Sequence, residues 1–279
     1  VSIDTGAPVL IPENAAFQTV AVKWVRHWNE HLFSFAVERP ASFRFRSGEF
    51  VMIGLPGEGE AVAGKPPKPV MRAYSIASPS WAEELEFLSI KVPDGPLTGR
   101  LQAVKPGDQL YMGKKPTGTL VLDALLGGKR LFLLSTGTGL APFLSVARDP
   151  EAYERFEQVV IVHGVRRVDD LAWHDMLSER LADDPLVSDQ AAEQFHYLPC
   201  VTREEFHTMG RITTLIEDGR LFGAPLVGDT RFDPETDRVM LCGSTAMIRE
   251  TAGILEAAGL TEGSNANPGQ FVIERAFVD

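Results

Sequence analysis

Short apolar alternations broken by turn residues run through about residue 122. FQTVAVKWVRH, HLFSFAVERP, GEFVMIGLP, LEFLSIKVP and DQLYMGK each predict a strand, with Pro, Gly, Asn or Asp between them. In FRFRSGEF the phenylalanines alternate with polar residues, as in a strand with one buried face. Several short strands with Gly/Pro turns and no helical period predict a small antiparallel barrel. Beyond LDALLGG the pattern changes. KRLFLLS is an unbroken apolar run of strand length, and QVVIVHG, FHYLPCV and DRVMLCGS repeat it. Around them APFLSVARD, LAWHDMLSERLAD, GRITTLIEDGRL and TAMIRETAGILEAAG carry helical spacing. Buried strands alternating with amphipathic helices predict a doubly wound parallel sheet.

The chain therefore reads as an α+β two-domain protein. An antiparallel β-barrel is expected over residues 1–126, with 1–15 as an extended leading segment, and an α/β doubly wound domain over 127–279. The linker falls near Leu126 to Lys129, and there is no internal repeat or low-complexity segment. A length of 279 residues, 44% apolar and 23% charged, is enough for two globular cores. No apolar stretch approaches the roughly 20 residues a membrane span needs. The opening VSIDTGAPVLIPENAAF lacks a basic region followed by an apolar one, so a cytoplasmic protein is expected.

Charge sharpens the division. Residues 1–128 carry 13 basic and 13 acidic groups, so the whole net charge of −11 resides in residues 129–279. That asymmetry supports two domains and argues against nucleic acid as a partner. Two cysteines, Cys200 and Cys242, are too few for a disulfide framework or an all-cysteine iron–sulfur site. His27 and His31 have helical metal-ligand spacing but fall in a strand–turn–strand pattern, so no metal is expected.

Four segments carry chemistry. STGTGLAPF follows the strand RLFLL, and Gly137 and Gly139 permit close backbone approach, with Pro142 where a helix can begin. Amides freed at such a turn attract phosphate, although a plain strand–helix turn uses glycines too. The spacing is not G-x-G-x-x-G, which disfavours an ordinary Rossmann dehydrogenase. Arg166 in HGVRRVDDLAW, Arg203 after FHYLPCV and Arg211 in MGRITTL stand at strand or helix edges of an acidic half with thirteen arginines and one lysine. Guanidinium groups recognise phosphate through paired hydrogen bonds, so the three point to one phosphate pocket. In LCGSTAMIRE, Cys242 closes a strand and Gly243-Ser244 opens a helix at the ligand edge of the sheet, where an inert buried cysteine is the alternative. Cys200, without a glycine turn, reads as structural. RAYSIAS, residues 72–78, combines an arginine, a tyrosine and two serines as if for a ligand with an anionic group and a flat ring.

RAYSIAS, STGTGLAPF, the three arginines and CGS together resemble the bacterial branch of the ferredoxin–NADP⁺ reductase family, over nearly the whole chain. The resemblance implies a Greek-key FAD-binding barrel followed by an NADP-binding domain. It implies noncovalent FAD held by R-x-Y-S, here Arg72, Ala73, Tyr74 and Ser75. Arg72 would meet the FAD diphosphate, Tyr74 stack on the isoalloxazine and Ser75 hydrogen-bond near flavin N5. KVPDGPLTGRL looks like the family's second FAD segment, which would set Lys91, Pro96, Leu97 and Thr98 along the cofactor. Gly137 and Gly139 match the nucleotide pyrophosphate loop, whose Thr138 would approach the flavin. Arg166, Arg203 and Arg211 match the 2′-phosphate arginines, and Gly243 and Ser244 the nicotinamide side. The ending ERAFVD is similar to the bacterial tail covering the flavin, with Ala276 and Phe277 where plant-type members end in a stacked tyrosine.

NADPH yields two electrons together, whereas ferredoxin or flavodoxin takes them singly, and a flavin can divide the pair. Ser75, Cys242 and Glu274 are the candidates around the nicotinamide and N5, for orientation and not covalent catalysis. Ser75 lacks the G-x-S-x-G elbow of a hydrolase. With only two cysteines and its length spent on two domains, the chain is expected to use a separate carrier protein; a monomer is expected. Lys65, Lys68, Lys105, Lys114 and Lys115 offer docking charges on the neutral half. The rival readings are an NADH-dependent flavin reductase of an oxygenase system and a non-catalytic nucleotide-binding regulatory module.

Overall fold

The computed structural model describes residues 7–59, 67–223 and 229–274. Six strands form an antiparallel sheet: β1 (Phe17–His27), β2 (Leu32–Glu38), β3 (Phe50–Leu55), β4 (Val70–Ser75), β5 (Glu84–Ile90) and β6 (Gln109–Gly113). Their spatial order is β4-β3-β6-β1-β2-β5. A bridge between Ile76 and Phe87, with the Ala77 amide donating to the Glu86 carbonyl at 2.8 Å, brings the two edge strands together and nearly closes the barrel. Phe33, Phe35, Phe87, Ile53 and Leu110 fill it from alternate strand positions. One short helix, α1 (Thr98–Leu101), follows β5.

FRFRSGEF behaves only in part as its alternation predicts. Phe43 and Phe45 are buried and Arg44 is exposed, yet regular pairing begins only at Phe50. Side chains take the backbone partners a ladder would use. Arg39 Nε donates to the Phe43 carbonyl, Arg44 Nη1 to the Ala41 carbonyl, and Glu49 Oε2 accepts from the Arg46 amide.

The second half is a parallel sheet of β7 (Arg130–Thr136), β8 (Gln158–Val165), β9 (Phe195–Val201), β10 (Asp237–Cys242) and β11 (Phe271–Ile273). Their order, β11-β10-β7-β8-β9, means that the chain moves outward from β7 and then returns to its other side. That reversal opens a crevice at the carboxyl ends of β7 and β10, where ligands bind in doubly wound sheets. Helices α2 (Ala141–Ala147), α3 (Pro150–Arg155), α4 (His174–Ser178), α5 (Ser188–Gln194), α6 (Ile212–Glu217) and α7 (Thr245–Ala257) accompany the strands. Leu131, Leu133, Val159 and Ile161 pack with Phe143 and Leu144, while Phe132, Leu134, Val239 and Leu241 pack with Ile212, Leu215 and Ile248. Both faces are covered, which explains the unbroken apolar runs.

LAWHDMLSERLAD does not continue as the single helix its spacing predicts. α4 stops at Ser178, and Arg180 and Leu181 take φ of 53° and 56°. The left-handed turn carries Leu181 into the core. Burial of one leucine outweighs continuation of the local period. Among the described residues, no helix is long and apolar enough to cross a membrane.

Candidate functional site

Two chain reversals meet at the crevice. β7 ends at Thr136 and turns through a short 3-10 helix, Gly137–Leu140, while β10 ends at Cys242 and enters α7 through Gly243 and Ser244. Thr136 Oγ1 accepts from the Ser244 amide at 2.8 Å, and Ser244 Oγ caps α7 by accepting from the Met247 amide. The approach needs glycine. A Cβ on Gly139 would lie 2.3 Å from the Cys242 carbonyl oxygen, and one on Gly243 would lie 2.1 Å from Thr136 Oγ1. Gly137 differs: its φ is +55° and nothing lies within 4 Å of where its Cβ would be. That turn offers open space and exposed backbone to a ligand.

The three residues expected around the flavin and nicotinamide are joined by one run of backbone and side-chain hydrogen bonds. Ser75 pairs with Phe50, which exchanges two backbone bonds with Thr117 at 2.7 and 3.0 Å. Two residues on, the Thr119 amide donates to Glu274 Oε2 at 3.2 Å and its hydroxyl donates to the Ile273 carbonyl. The Glu274 amide in turn donates to the carbonyl of Leu241, the neighbour of Cys242. Barrel and parallel sheet therefore share an edge here. Ser75, Cys242 and Glu274 are 8%, 3% and 5% exposed, so the seam is nearly dry. Burial, and secondarily the charge of Glu274, pushes the Cys242 thiol far above its usual range. It stays a thiol near neutrality and is no nucleophile. Gly118, Thr119 and Thr136 complete this seam. No reading of the sequence singled them out, although PTGTL repeats the small-residue texture of STGTG.

The barrel segments only partly match the roles expected of them. Arg72 is exposed, its guanidinium donating to the adjacent Met71 carbonyl and to no other group among the described residues, and Ala73 is half-buried beside it. Tyr74 departs from the expectation of an open ring face. It is 7% exposed, set edge-to-face with Phe35 and Phe87, and its hydroxyl lies 3.1 Å from Ser89 Oγ. It shares a face of β4 with the exposed Arg72, and its aromatic neighbours are what bury it. Leu97, at 1% exposure, belongs to the barrel core, so only its backbone is available to a cofactor. Lys91 Nζ donates to the Asn29 carbonyl at 2.6 Å and thereby ties β5 to the turn before β2. Pro96 is exposed and Thr98 half-buried at the start of α1. Ala276 and Phe277 lie outside the described residues.

Three exposed arginines stand at the far end of the crevice. Arg166 follows β8 and Arg203 follows β9, and the Arg203 amide donates to the Arg166 carbonyl at 3.0 Å. A bridge between Val201 and Met209 folds the next loop back, with the Gly210 amide on the Val201 carbonyl, and this delivers Arg211 at the start of α6. Among the described residues none of the three forms an ion pair, whereas Arg167 meets Asp169 and Glu204, and Arg220 meets Asp218. Exposed arginines without ion-pair partners among the described residues, carried at the same end of the parallel sheet as the glycine turn, are suited to a phosphate-bearing nucleotide.

Comparison with known proteins agrees with this geometry. Residues 133–253 match the family model of the oxidoreductase NAD-binding domain. The chain is 54% identical over 254 residues to a flavodoxin/ferredoxin–NADP reductase of Rhodobacter capsulatus, covering 91% of each. It is 52% identical over 262 residues to a ferredoxin–NADP reductase of Pseudomonas aeruginosa, covering 94% of this chain and 98% of the relative. A ferredoxin NADP⁺ reductase of Neisseria gonorrhoeae, crystallised with FAD and NADP, superposes with a TM-score of 0.81 at 30% identity. The match covers 95% of this chain and all of the other.

Proposed function

Because this chain belongs to the ferredoxin–NADP reductase family, we propose that it moves electrons between NADP(H) and a separate ferredoxin or flavodoxin by way of noncovalent FAD. The observation that carries this reading is the shared edge at Thr119, Glu274 and Leu241, which brings the R-x-Y-S strand and the nucleotide crevice to one dry seam. Residues 1–126 are the FAD-binding unit and residues 127–279 the NADP-binding unit.

FAD, when bound, supplies the exchange between a two-electron transfer at nicotinamide and one-electron transfers at the carrier. The residues present suit it. Arg72 is open to a diphosphate, and α1, with the half-buried Thr98, follows β5. Arg166, Arg203 and Arg211 hold the 2′-phosphate, and the turn Gly137–Leu140 takes the pyrophosphate between them and the seam. Ser75 and Glu274 orient polar groups of the two rings, and the protonated Cys242 fills the space beside the nicotinamide without adding charge. Burial of all three excludes water from the reacting atoms. Each residue named comes from one chain, so a monomer suffices.

The test is an absorption spectrum of the purified protein before and after anaerobic NADPH, followed by addition of oxidised ferredoxin or flavodoxin. A yellow protein bleached by NADPH and recoloured by the carrier is expected. Protein that retains no FAD, or that NADPH leaves coloured, overturns the proposal.

A further inference from the structure

The conformation of the glycine turn is tied to a side chain 26 positions further along the chain. His163 lies in β8 beside β7, in register with Ser135, and is wholly buried. Its Nε2 is 3.1 Å from the Gly137 carbonyl oxygen, and its Nδ1 is 3.4 Å from the hydroxyl of Tyr197 in β9. A carbonyl can only accept, so Nε2 carries the proton. Burial holds the ring's pKa down to about 4, against a smaller raising effect of the Gly137 bond and a further lowering by His174. A neutral imidazole has one N–H, so Nδ1 accepts, and the half-buried Tyr197 phenol, its own pKa pushed up by burial, donates to it. One arrangement satisfies all three groups.

We propose that His163 is a positioning residue for the nucleotide: by holding the Gly137 carbonyl inward it turns the Thr138 amide outward, to where the pyrophosphate lies. The reasoning is geometric. A trans peptide is planar, so its C=O and N–H point in opposite directions. Fixing the carbonyl of the Gly137–Thr138 peptide fixes the Thr138 N–H. Glycine at φ +55°, with no atom near its Cβ position, has no side chain of its own to hold that plane. The bond from His163 adds a second restraint to the i→i+3 bonding of the 3-10 turn, and the entropy of ordering the turn is met on folding, before nucleotide arrives. This inference rests on the reading of the turn as the pyrophosphate site.

The test uses FAD-loaded protein and calorimetric titration with two probes, NADP⁺ and 2′-AMP, the second of which lacks a pyrophosphate. His163→Leu removes the donor, His163→Asn keeps a polar group near Tyr197 only, and His163→Gln returns an amide N–H near the position of Nε2. The expected result is an NADP⁺ Kd raised about tenfold in the Leu and Asn variants, as for loss of the one charge-assisted hydrogen bond from the Thr138 amide to the pyrophosphate. The Gln variant stays within about threefold of the parent, and 2′-AMP affinity and FAD content are unchanged throughout. If the Leu variant does not fold, the contrast between Gln and Asn decides. Equal losses for Gln and Asn, unchanged NADP⁺ affinity, or equal weakening of 2′-AMP each overturn it. Gly137→Val examines the underlying reading separately. If that variant binds NADP⁺ like the parent, the pyrophosphate assignment fails and this inference with it. If Gly137→Val weakens NADP⁺ and His163→Leu does not, only the role of His163 is lost.

Discussion

Arg203 and Arg211 are exposed, lack acidic partners among the described residues and flank one loop, which supports the proposal that they act on a ligand and not on the fold. Each charge-assisted hydrogen bond contributes about 1.5–3 kcal/mol, and about 1.4 kcal/mol is tenfold in affinity. Replacing either with Ala is expected to lower kcat/KM for NADPH by roughly ten- to a hundredfold, with little change for NADH, which has no 2′-phosphate. Steady-state kinetics with both nucleotides provide the check, and equal losses would assign the arginines to fold or pyrophosphate. His163 yields a prediction about pH. The unfolded chain takes up a proton at this ring below about 6.5, whereas the folded ring resists until about 4. The folded pKa is depressed, so the stabilisation is complete above 6.5 and is lost as pH falls toward 4, by roughly 3 kcal/mol in all. Urea unfolding midpoints of the parent are therefore expected to drop more than those of His163→Gln between pH 7 and 4.5. Parallel curves would show that His163 does not titrate in this way.

At the scale of elements, the turns after β7 and β10 function as a pair. Gly139 and Gly243 let them touch, and a methyl group on either meets backbone or Thr136 Oγ1 at under 3 Å. Gly139→Ala and Gly243→Ala are each expected to destabilise by about 1–3 kcal/mol. Both should also weaken nucleotide binding, since the crevice widens with the turns. Gly253 provides the contrast. It is exposed in α7 with nothing within 4 Å of its Cβ position, so Gly253→Ala should stabilise by about 1 kcal/mol. Thermal unfolding of the three variants decides the matter: opposite signs are expected, and a common sign would mean that the turns yield freely. α4 shows the converse case, where an element ends early because Leu181 is drawn into the core.

For the whole molecule, the two sheets are joined along a seam as well as at the site. Trp28 and Trp173 lie 5.0 Å apart, Asn29 Nδ2 donates to the Asp169 carbonyl, and Trp81 Nε1 donates to the Arg148 carbonyl. These contacts hold the barrel and the parallel-sheet half in one arrangement. The charge is unevenly shared between them, with the net −11 in residues 129–279. The proposed acidic carrier is therefore expected to be repelled by the parallel-sheet half and to dock on the barrel. Lys68, Lys105, Lys114 and Lys115 are exposed there, and Lys65 lies outside the described residues. Carrier association should slow as salt rises, because exposed charges are screened over roughly 8–10 Å. Stopped-flow rates for Lys114→Gln/Lys115→Gln should be lower and less sensitive to salt. A rate indifferent to both changes would move docking elsewhere.

What the sequence determined by itself is what depends on near neighbours in the chain. Period-two alternation announced the barrel strands, continuous apolar runs announced a sheet covered on both faces, and glycine pairs at strand ends marked the turns at the crevice. Arg166 and Arg203, just past the ends of β8 and β9, and Arg211 at the start of α6 are exposed, as a charged residue beyond a buried element has nowhere apolar to go. Tertiary structure decided matters that depend on residues far apart. Tyr74 and Leu97 belong to motifs whose residue types suit a cofactor, yet packing against Phe35, Phe87 and the barrel interior claims their side chains. Lys91 is spent on the Asn29 carbonyl, 62 residues away. The link from Thr119 to Glu274 spans 155 residues, and the grip of His163 on Gly137 needs β7 and β8 side by side. No local pattern encodes such pairs: periodicity specifies which face of an element is buried, and only assembly of the sheets specifies what that face meets.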